Sequence, residues 1–149
     1  MNRTKNIFKL FFGLTFLLFL SPACKKETKD PAHQDIPVVP VNFAINPNGT
    51  EYINLNGVNG WEYLTGGYQG ILVFRNSVSE FKAYERSCPY DWNKTTTRLV
   101  VDSSGITARC PSCNSKYILL DGTPYEGPSR YSLLQYQTSY DGNLLYIFN

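Results

Sequence analysis

The sequence predicts an all-β domain of antiparallel strands, and three features support that prediction. Residues that favour strands are abundant, with 11 Tyr and 9 Phe in 149 residues, and they occur in short runs separated by Gly, Asn and Asp. Asp-Gly pairs, which favour tight turns, fall between such runs at Asp121-Gly122 and Asp141-Gly142. No segment of the domain has the periodicity of a long helix. The domain should therefore consist of β-hairpins.

Individual strands can be assigned from these runs. The stretch "GILVFRN" (70–76) is a short apolar run, which is typical of a buried strand, and "EFKAYERSC" (80–88) alternates as a half-buried strand does. The stretch "TRLVVDSSGITARC" (97–110) predicts two strands around a turn at "DSSG". Two further hairpins should turn at the Asp-Gly pairs, for which type I′ turns are expected.

The stretches before and after the first of these strands are predicted to be connections. The segment "NGVNGWEYLTGGYQG" (56–70) is rich in glycine and asparagine, which favours a wide loop. The segment "SVSEF" (77–81) predicts at most a turn or two of helix, with Ser77 or Ser79 as its cap.

The N-terminal residues predict an export signal. Three basic residues precede the apolar run "FFGLTFLLFL" (11–20), which has the length of a signal-peptide core and is too short to span a bilayer. The run ends in "LSPAC", which resembles the lipobox of bacterial lipoproteins, with Ser21 where that motif usually has leucine. Residues 1–23 are therefore predicted to be a lipoprotein signal peptide. Acylated Cys24 would anchor the protein to a membrane of the bacterial cell envelope, facing the periplasm or the outside.

A tether and one domain should follow the anchor. Residues 24–40 are charged and punctuated by proline, which favours a flexible tether, and they include the only histidine, His33. Residues 41–149 suffice for one small core. The chain has 14 Lys and Arg against 12 Asp and Glu, without a basic stripe, so nucleic acid is not an expected partner. Because the domain has no histidine for a Ser-His or Cys-His couple, a catalyst of that kind is not expected.

Three cysteines lie in the predicted domain and are its main candidates for chemistry. Cys88 belongs to "CPY", and Cys110 and Cys113 form "CPSC". A C-x-x-C pair suits a metal site, a redox couple or a disulfide. Outside the cytoplasm, thiols are oxidised unless a metal or burial protects them. The spacing alone leaves all three interpretations open.

The order of these parts resembles the Rieske iron–sulfur domain. A strand leads to "CPY", a hairpin follows, and then come "CPSCNSKY" and "DGTPYEGPSRYSLLQY". In that family a C-x-H loop and a C-x-x-H loop converge on a [2Fe–2S] cluster, with two cysteines on one iron and two histidines on the other. The resemblance covers residues 66–149. It implies a Rieske-like β-fold in which the two cysteine loops converge and Cys88 lies beside Cys110.

Both histidines of the family pattern are replaced in this chain. Tyr90 stands at the first histidine position and Cys113 at the second. The resemblance then implies a [2Fe–2S] centre bound by Cys88, Cys110 and Cys113, with an oxygen of Tyr90 or Asp91 as the fourth ligand. Such a centre would carry single electrons to or from a redox partner protein. An electron carrier or binding module is therefore expected rather than a catalyst. Because anionic ligands favour the oxidised form, the potential of this centre should be lower than that of a centre with two imidazoles.

Other interpretations of the cysteines stay open at this point. The domain could be a structural or interaction module without a cluster, closed by a Cys88–Cys110 or a Cys110–Cys113 disulfide. Zinc, with three thiolates and an oxygen of Asp91 or Tyr90, is a further alternative. Thiol redox catalysis is disfavoured because the C-x-x-C pair lies between predicted strands rather than at a helix N-terminus.

Overall fold

The structure is a computed structural model that describes residues 36–94 and 98–149. The predicted signal peptide (1–23), the lipidation site Cys24 and His33 lie outside these residues. Within the described residues, no helix is both long enough and apolar enough to cross a bilayer.

Ten antiparallel strands are the main secondary structure of the described residues. They are β1 (Asn42–Ile45), β2 (Trp61–Leu64), β3 (Ile71–Arg75), β4 (Phe81–Glu85), β5 (Val100–Val101), β6 (Thr107–Arg109), β7 (Lys116–Ile118), β8 (Pro124–Glu126), β9 (Gln135–Tyr140) and β10 (Leu145–Phe148). Six of them form a large sheet in the order β1-β10-β9-β4-β3-β2, and four form a small sheet in the order β5-β6-β7-β8. A short 3₁₀ helix, Thr50–Leu55, lies between β1 and β2. The prediction of an all-β, antiparallel fold is confirmed.

The assigned strands are present, and two details of the connections differ from expectation. The segment predicted as a wide loop contains β2, which pairs with β3. The segment 77–81 forms no helix, because the Ser77 hydroxyl accepts the N–H groups of Ser79 and Glu80 and closes the turn between β3 and β4. Pairing with β3 makes β2 a strand despite its loop-like composition. Local side-chain hydrogen bonds favour a turn over a helix at 77–81.

The turns at the Asp-Gly pairs are where the sequence placed them, but their type I′ assignment was wrong. Type I′ requires positive φ at both central residues. Asp141 has no positive φ, and four residues separate the paired ends of β9 and β10. Instead, its carboxylate accepts the N–H groups of Asn143 and Leu144, which satisfies the backbone of a longer loop.

Strand β3 is buried on both faces and separates two apolar clusters. Ile71 and Val73 point into a cluster on one face of the large sheet, and Leu72 and Phe74 point into a second cluster on the other face. The second cluster contains residues of both sheets, so it forms the core between them. Its buried members are Leu72, Phe74, Tyr84, Cys88, Leu99, Val101, Ala108, Cys110, Tyr117, Leu119 and Leu133.

The packed part of the chain begins before β1. Ile36 is buried, and the carbonyl of Val39 accepts a hydrogen bond from the side chain of Asn149. The backbone N–H of Asn149 donates to the carbonyl of Val41. The chain therefore lies against the domain at least from Ile36, five residues before the predicted domain boundary.

A buried carboxylate, Glu85, connects the end of β4 to two other parts of the fold. It accepts five hydrogen bonds: from the N–H groups of Tyr68, Gln69 and Ser87 and from the hydroxyls of Ser87 and Tyr136. A Cβ on Gly67 would lie 2.4 Å from its Oε2 atom, so the loop between β2 and β3 needs glycine there. Glu85 thus anchors this loop and the start of the segment that leads to Cys88.

Glu85→Ala should strongly destabilise the fold, because the substitution leaves several buried donors without an acceptor. We expect the free energy of unfolding to fall by about 2–4 kcal/mol. Urea denaturation measures the change. Glu51→Ala, at an exposed position, is the control and should change stability by no more than about 0.5 kcal/mol. Equal effects of the two substitutions would contradict this role of Glu85.

Candidate metal centre

Two loops, one from each sheet, carry the three cysteines. Cys88 follows the end of β4 in the large sheet, whereas Cys110 directly follows β6 and Cys113 lies in the turn before β7 in the small sheet. The second turn is closed by hydrogen bonds from Cys110 N to Ser115 O (2.9 Å) and from Asn114 N to Cys110 O (2.9 Å). Asn114 adopts a positive φ of 60°, a conformation that asparagine tolerates better than most residues. This turn directs the Cys110 and Cys113 side chains toward the first loop.

The three sulfur atoms lie within 4.8 Å of one another. Cys88 Sγ is 3.6 Å from Cys113 Sγ. Cys88 and Cys110 are fully buried and Cys113 is partly exposed. The expected convergence of the two cysteine loops is therefore confirmed, and the resulting trio has the composition and spacing of a site that could hold a metal.

All three cysteines are free thiols. The 3.6 Å between the sulfurs of Cys88 and Cys113 is a non-bonded contact, since a disulfide bond is about 2.05 Å long. Cys88 also forms a hydrogen bond with Cys110. Cys88 thus lies in contact with both other thiols.

Backbone N–H groups point at the sulfur atoms from both loops. The N–H of Tyr90 bonds to Cys88, and those of Cys113 and Ser112 bond to Cys110. The hydrogen bond between Cys88 and Cys110 raises the pKa of Cys88, which burial raises further, and it lowers the pKa of Cys110. The two N–H groups also lower the pKa of Cys110. Cys110 is therefore the thiol of this pair that loses its proton first.

Tyr117 contributes a hydroxyl group to the buried side of the site. Its oxygen is 3.3 Å from Cys88 Sγ, and its side chain is fully buried. Burial, together with the contact with Cys88, raises the pKa of Tyr117, so the phenol keeps its proton. It can therefore donate a hydrogen bond to a Cys88 thiolate.

The two candidates for an oxygen ligand have different environments. Tyr90 has a side chain that is 52% exposed, and only its backbone N–H contacts a sulfur. Asp91 is buried, pairs with Lys94 at 2.7 Å, and forms hydrogen bonds with Ser112 and Cys113. Burial alone would raise the pKa of Asp91, but the bonds from Lys94 and Ser112 outweigh it and lower the pKa. Asp91 is thus an ionised carboxylate in contact with the trio.

A third segment covers the cysteine turn. The fully buried Ser115 hydroxyl accepts hydrogen bonds from Cys113 Sγ (3.1 Å) and from the N–H of Ser129 (3.0 Å). A Cβ on Gly127 would lie 2.5 Å from Ser115 Cα, so only glycine allows this close approach. The sequence showed these residues within "NSKY" and "EGPS", but no local signal indicated that the two stretches touch.

Comparisons with known proteins give limited similarity. No protein-family model and no curated protein matches the chain. Among solved structures, it is similar to the ferredoxin of carbazole 1,9a-dioxygenase from Nocardioides aromaticivorans IC177, with 13% identity over 73% of this chain and 96% of that chain and a TM-score of 0.48. It is also similar to a chain of the complex of reduced oxygenase and oxidized ferredoxin in carbazole 1,9a-dioxygenase, with 18% identity, 61% and 82% coverage and a TM-score of 0.45. Similarity at this level does not indicate what this chain binds.

Gly127→Ala should loosen the cover over the cysteine turn. The added methyl group collides with Ser115, and we expect Cys113 to react faster with a thiol reagent and stability to fall. Gly142→Ala is the matched control, since Gly142 has nearly the same φ (97° against 95°) but open space around it. Both substitutions place a side chain at positive φ, which costs about 1–2 kcal/mol. Only Gly127→Ala adds a collision with Ser115. Identical rates of Cys113 modification in the two variants would contradict this role of Gly127.

Proposed function

We propose that the protein is an electron carrier of the bacterial cell envelope and that its cysteine trio binds a [2Fe–2S] cluster. The observation that carries the proposal is the meeting of three thiols, from two loops, within 4.8 Å in a largely buried pocket. Thiolates are the ligands that iron–sulfur clusters use, and two of these thiols already lie in contact with backbone N–H groups. We propose a cluster with two irons, rather than another type, because the two loops resemble those of Rieske domains.

The donor set fits such a group. Cys88, Cys110 and Cys113 would supply three ligands, and the fourth would be an oxygen of Asp91 or Tyr90. The burial of Asp91 and its hydrogen bond with Cys113 favour Asp91, because the exposed Tyr90 ring has no comparable contact. When bound, the group would supply one-electron transfer. The N–H groups and the Tyr117 hydroxyl stabilise negative charge on the sulfurs, and the covering segment limits the access of water.

A single zinc ion is a second candidate that one distance favours. Two thiolates on one tetrahedral zinc, with Zn–S bonds of about 2.3 Å, are about 3.8 Å apart. The 3.6 Å between Cys88 Sγ and Cys113 Sγ is close to that value. With such an ion the domain would be a structural or interaction module. If two of the three cysteines instead formed a disulfide, the domain would be a structural or interaction module without a metal.

The metal content of the purified domain distinguishes these candidates. A fragment from Asp35 to Asn149, which keeps the buried Ile36, should be brown after anaerobic purification and should contain about two irons per chain. One zinc per chain without colour would support the single ion. A metal-free fragment that gains two free thiols on reduction would support the disulfide. Either of the last two results would contradict the electron-carrier proposal.

Substitutions at the two oxygen candidates test the fourth ligand. Asp91→Asn should lower the iron content or change the electron paramagnetic resonance spectrum of the reduced protein, because an amide is a weaker ligand than a carboxylate. Tyr90→Phe is the comparison and should leave both unchanged, since the Tyr90 ring is exposed. The opposite pattern would assign the ligand to Tyr90.

We further propose that acylated Cys24 holds the domain at a membrane, where it meets a partner redox protein. This part rests on the signal-like N-terminus and the "LSPAC" sequence. Expressed in bacteria, the full chain should incorporate radiolabelled fatty acid, and Cys24→Ala should abolish the label because acylation requires the thiol. Cys113→Ser is the control and should be labelled normally. Equal labelling of the Cys24 variant and the wild type would refute lipidation at this position.

A further inference from the structure

A cleft with two arginines and no acidic residue lies beside the cysteine site. It has a volume of about 400 Å³ and is formed by the loop between β2 and β3 together with the segments on either side of the first cysteine loop. Its lining residues are Tyr63, Leu64, Thr65, Gly66, Gly67, Tyr68, Gln69, Gly70, Arg86 and Arg98. The two guanidinium groups therefore share one concave surface without a carboxylate.

Neither arginine forms a salt bridge within the part of the chain that the structure describes, although the Glu85 carboxylate attracts Arg86. The salt bridges there join Lys82 to Glu80, Lys94 to Asp91 and Lys116 to Glu126, and none involves an arginine. The nearby Glu85 carboxylate is already the acceptor of five hydrogen bonds. The two positive charges in this cleft repel each other, and a bound anion would offset the repulsion.

Arg86 is held in place although it has no ionic partner. Its guanidinium carbon lies 3.6 Å from the centre of the Tyr63 ring, and its Nη2 atom donates to the carbonyl of Leu99 at 3.2 Å. Its Nε atom is buried and has no hydrogen-bond partner. A buried donor without a partner is uncommon in folded proteins and calls for a physical explanation. Here the planar group is already oriented, so less side-chain entropy is lost on binding.

The backbone brings Arg98 to the same place. Ser87 and Arg98 form an antiparallel bridge, and the N–H of Leu99 donates to the carbonyl of Arg86 at 2.8 Å. The two arginines therefore come from paired, adjacent segments, which fixes the positions of their Cα atoms relative to each other. This pairing makes the arrangement a property of the fold.

We propose that this cleft binds an oxyanion group, a carboxylate or a phosphate, through Arg86 and Arg98. Guanidinium groups bind both kinds of anion with pairs of charge-assisted hydrogen bonds, and Thr65 in the lining carries a hydroxyl group. The site does not require a metal at the cysteine trio. The binding segment also contains Cys88, two residues after Arg86, so the bound anion lies next to the first cysteine loop.

Isothermal titration of the full chain in a non-ionic detergent tests the proposal with two probes, inorganic phosphate and succinate. We expect one-to-one binding of at least one probe, weakened at least about tenfold by Arg98→Gln, which removes one charged partner. Binding of phosphate alone or succinate alone identifies the preferred oxyanion. Arg130→Gln, at an exposed position outside the cleft, is the matched control and should bind as the wild type does.

Two results of the first titrations would overturn the proposal, and a second variant provides a third. One is the absence of binding by both probes, and the other is an equal loss of affinity in the Arg98 and Arg130 variants, which would show a non-specific charge effect. Arg86→Gln is a second variant, checked first by its melting temperature because Arg86 also packs on Tyr63. If the folded Arg86 and Arg98 variants both keep wild-type affinity, the anion does not bind in this cleft. These readouts are independent of the iron content of the trio.

Discussion

The packing of the small sheet against one face of the large sheet is the constraint on which the cysteine site depends. Cys88 comes from the large-sheet side and Cys110 from the small-sheet side, and both are buried members of the core between them. Close-packed cores allow little relative movement of their elements. A hydrogen bond from the Tyr84 hydroxyl to the carbonyl of Leu119 also connects the two halves. The core therefore sets the separation of the sulfur atoms.

The sequence predicted those parts of the molecule that depend on local patterns. The apolar run of β3 and the hairpins at the Asp-Gly pairs follow from periodicity and turn chemistry, and the convergence of the cysteine loops follows from their resemblance to known loops. Contacts between distant segments could not be predicted in the same way. The approach of Gly127 to Ser115 and the burial of Asp91 next to the exposed Tyr90 depend on where tertiary packing directs each side chain.

The charges around the trio favour a cation over a free thiolate nucleophile. Reactive thiolates need positive surroundings. Here a carboxylate, Asp91, forms a hydrogen bond with Cys113, and the Lys94 ammonium group, which also interacts with Cys113, is paired with that carboxylate. If all three thiols lost their protons, three thiolates and one carboxylate would repel one another unless a positive centre lay between them. The N–H groups that contact Cys88 and Cys110 offset only part of this repulsion.

The two arginines of the cleft add positive charge near the cysteine trio, outside the pocket that holds the sulfur atoms. Arg86 lies two residues before Cys88 on the same segment, and Arg98 is paired with the residue between them. Two positive charges on these neighbouring segments would attract negative charge on the first cysteine loop, and Coulomb interactions are stronger across protein than across water because its effective dielectric constant is lower. An anion in the cleft would offset that attraction. The proposed anion would therefore influence how much negative charge the trio can hold, because both sites lie along the segment that leaves β4.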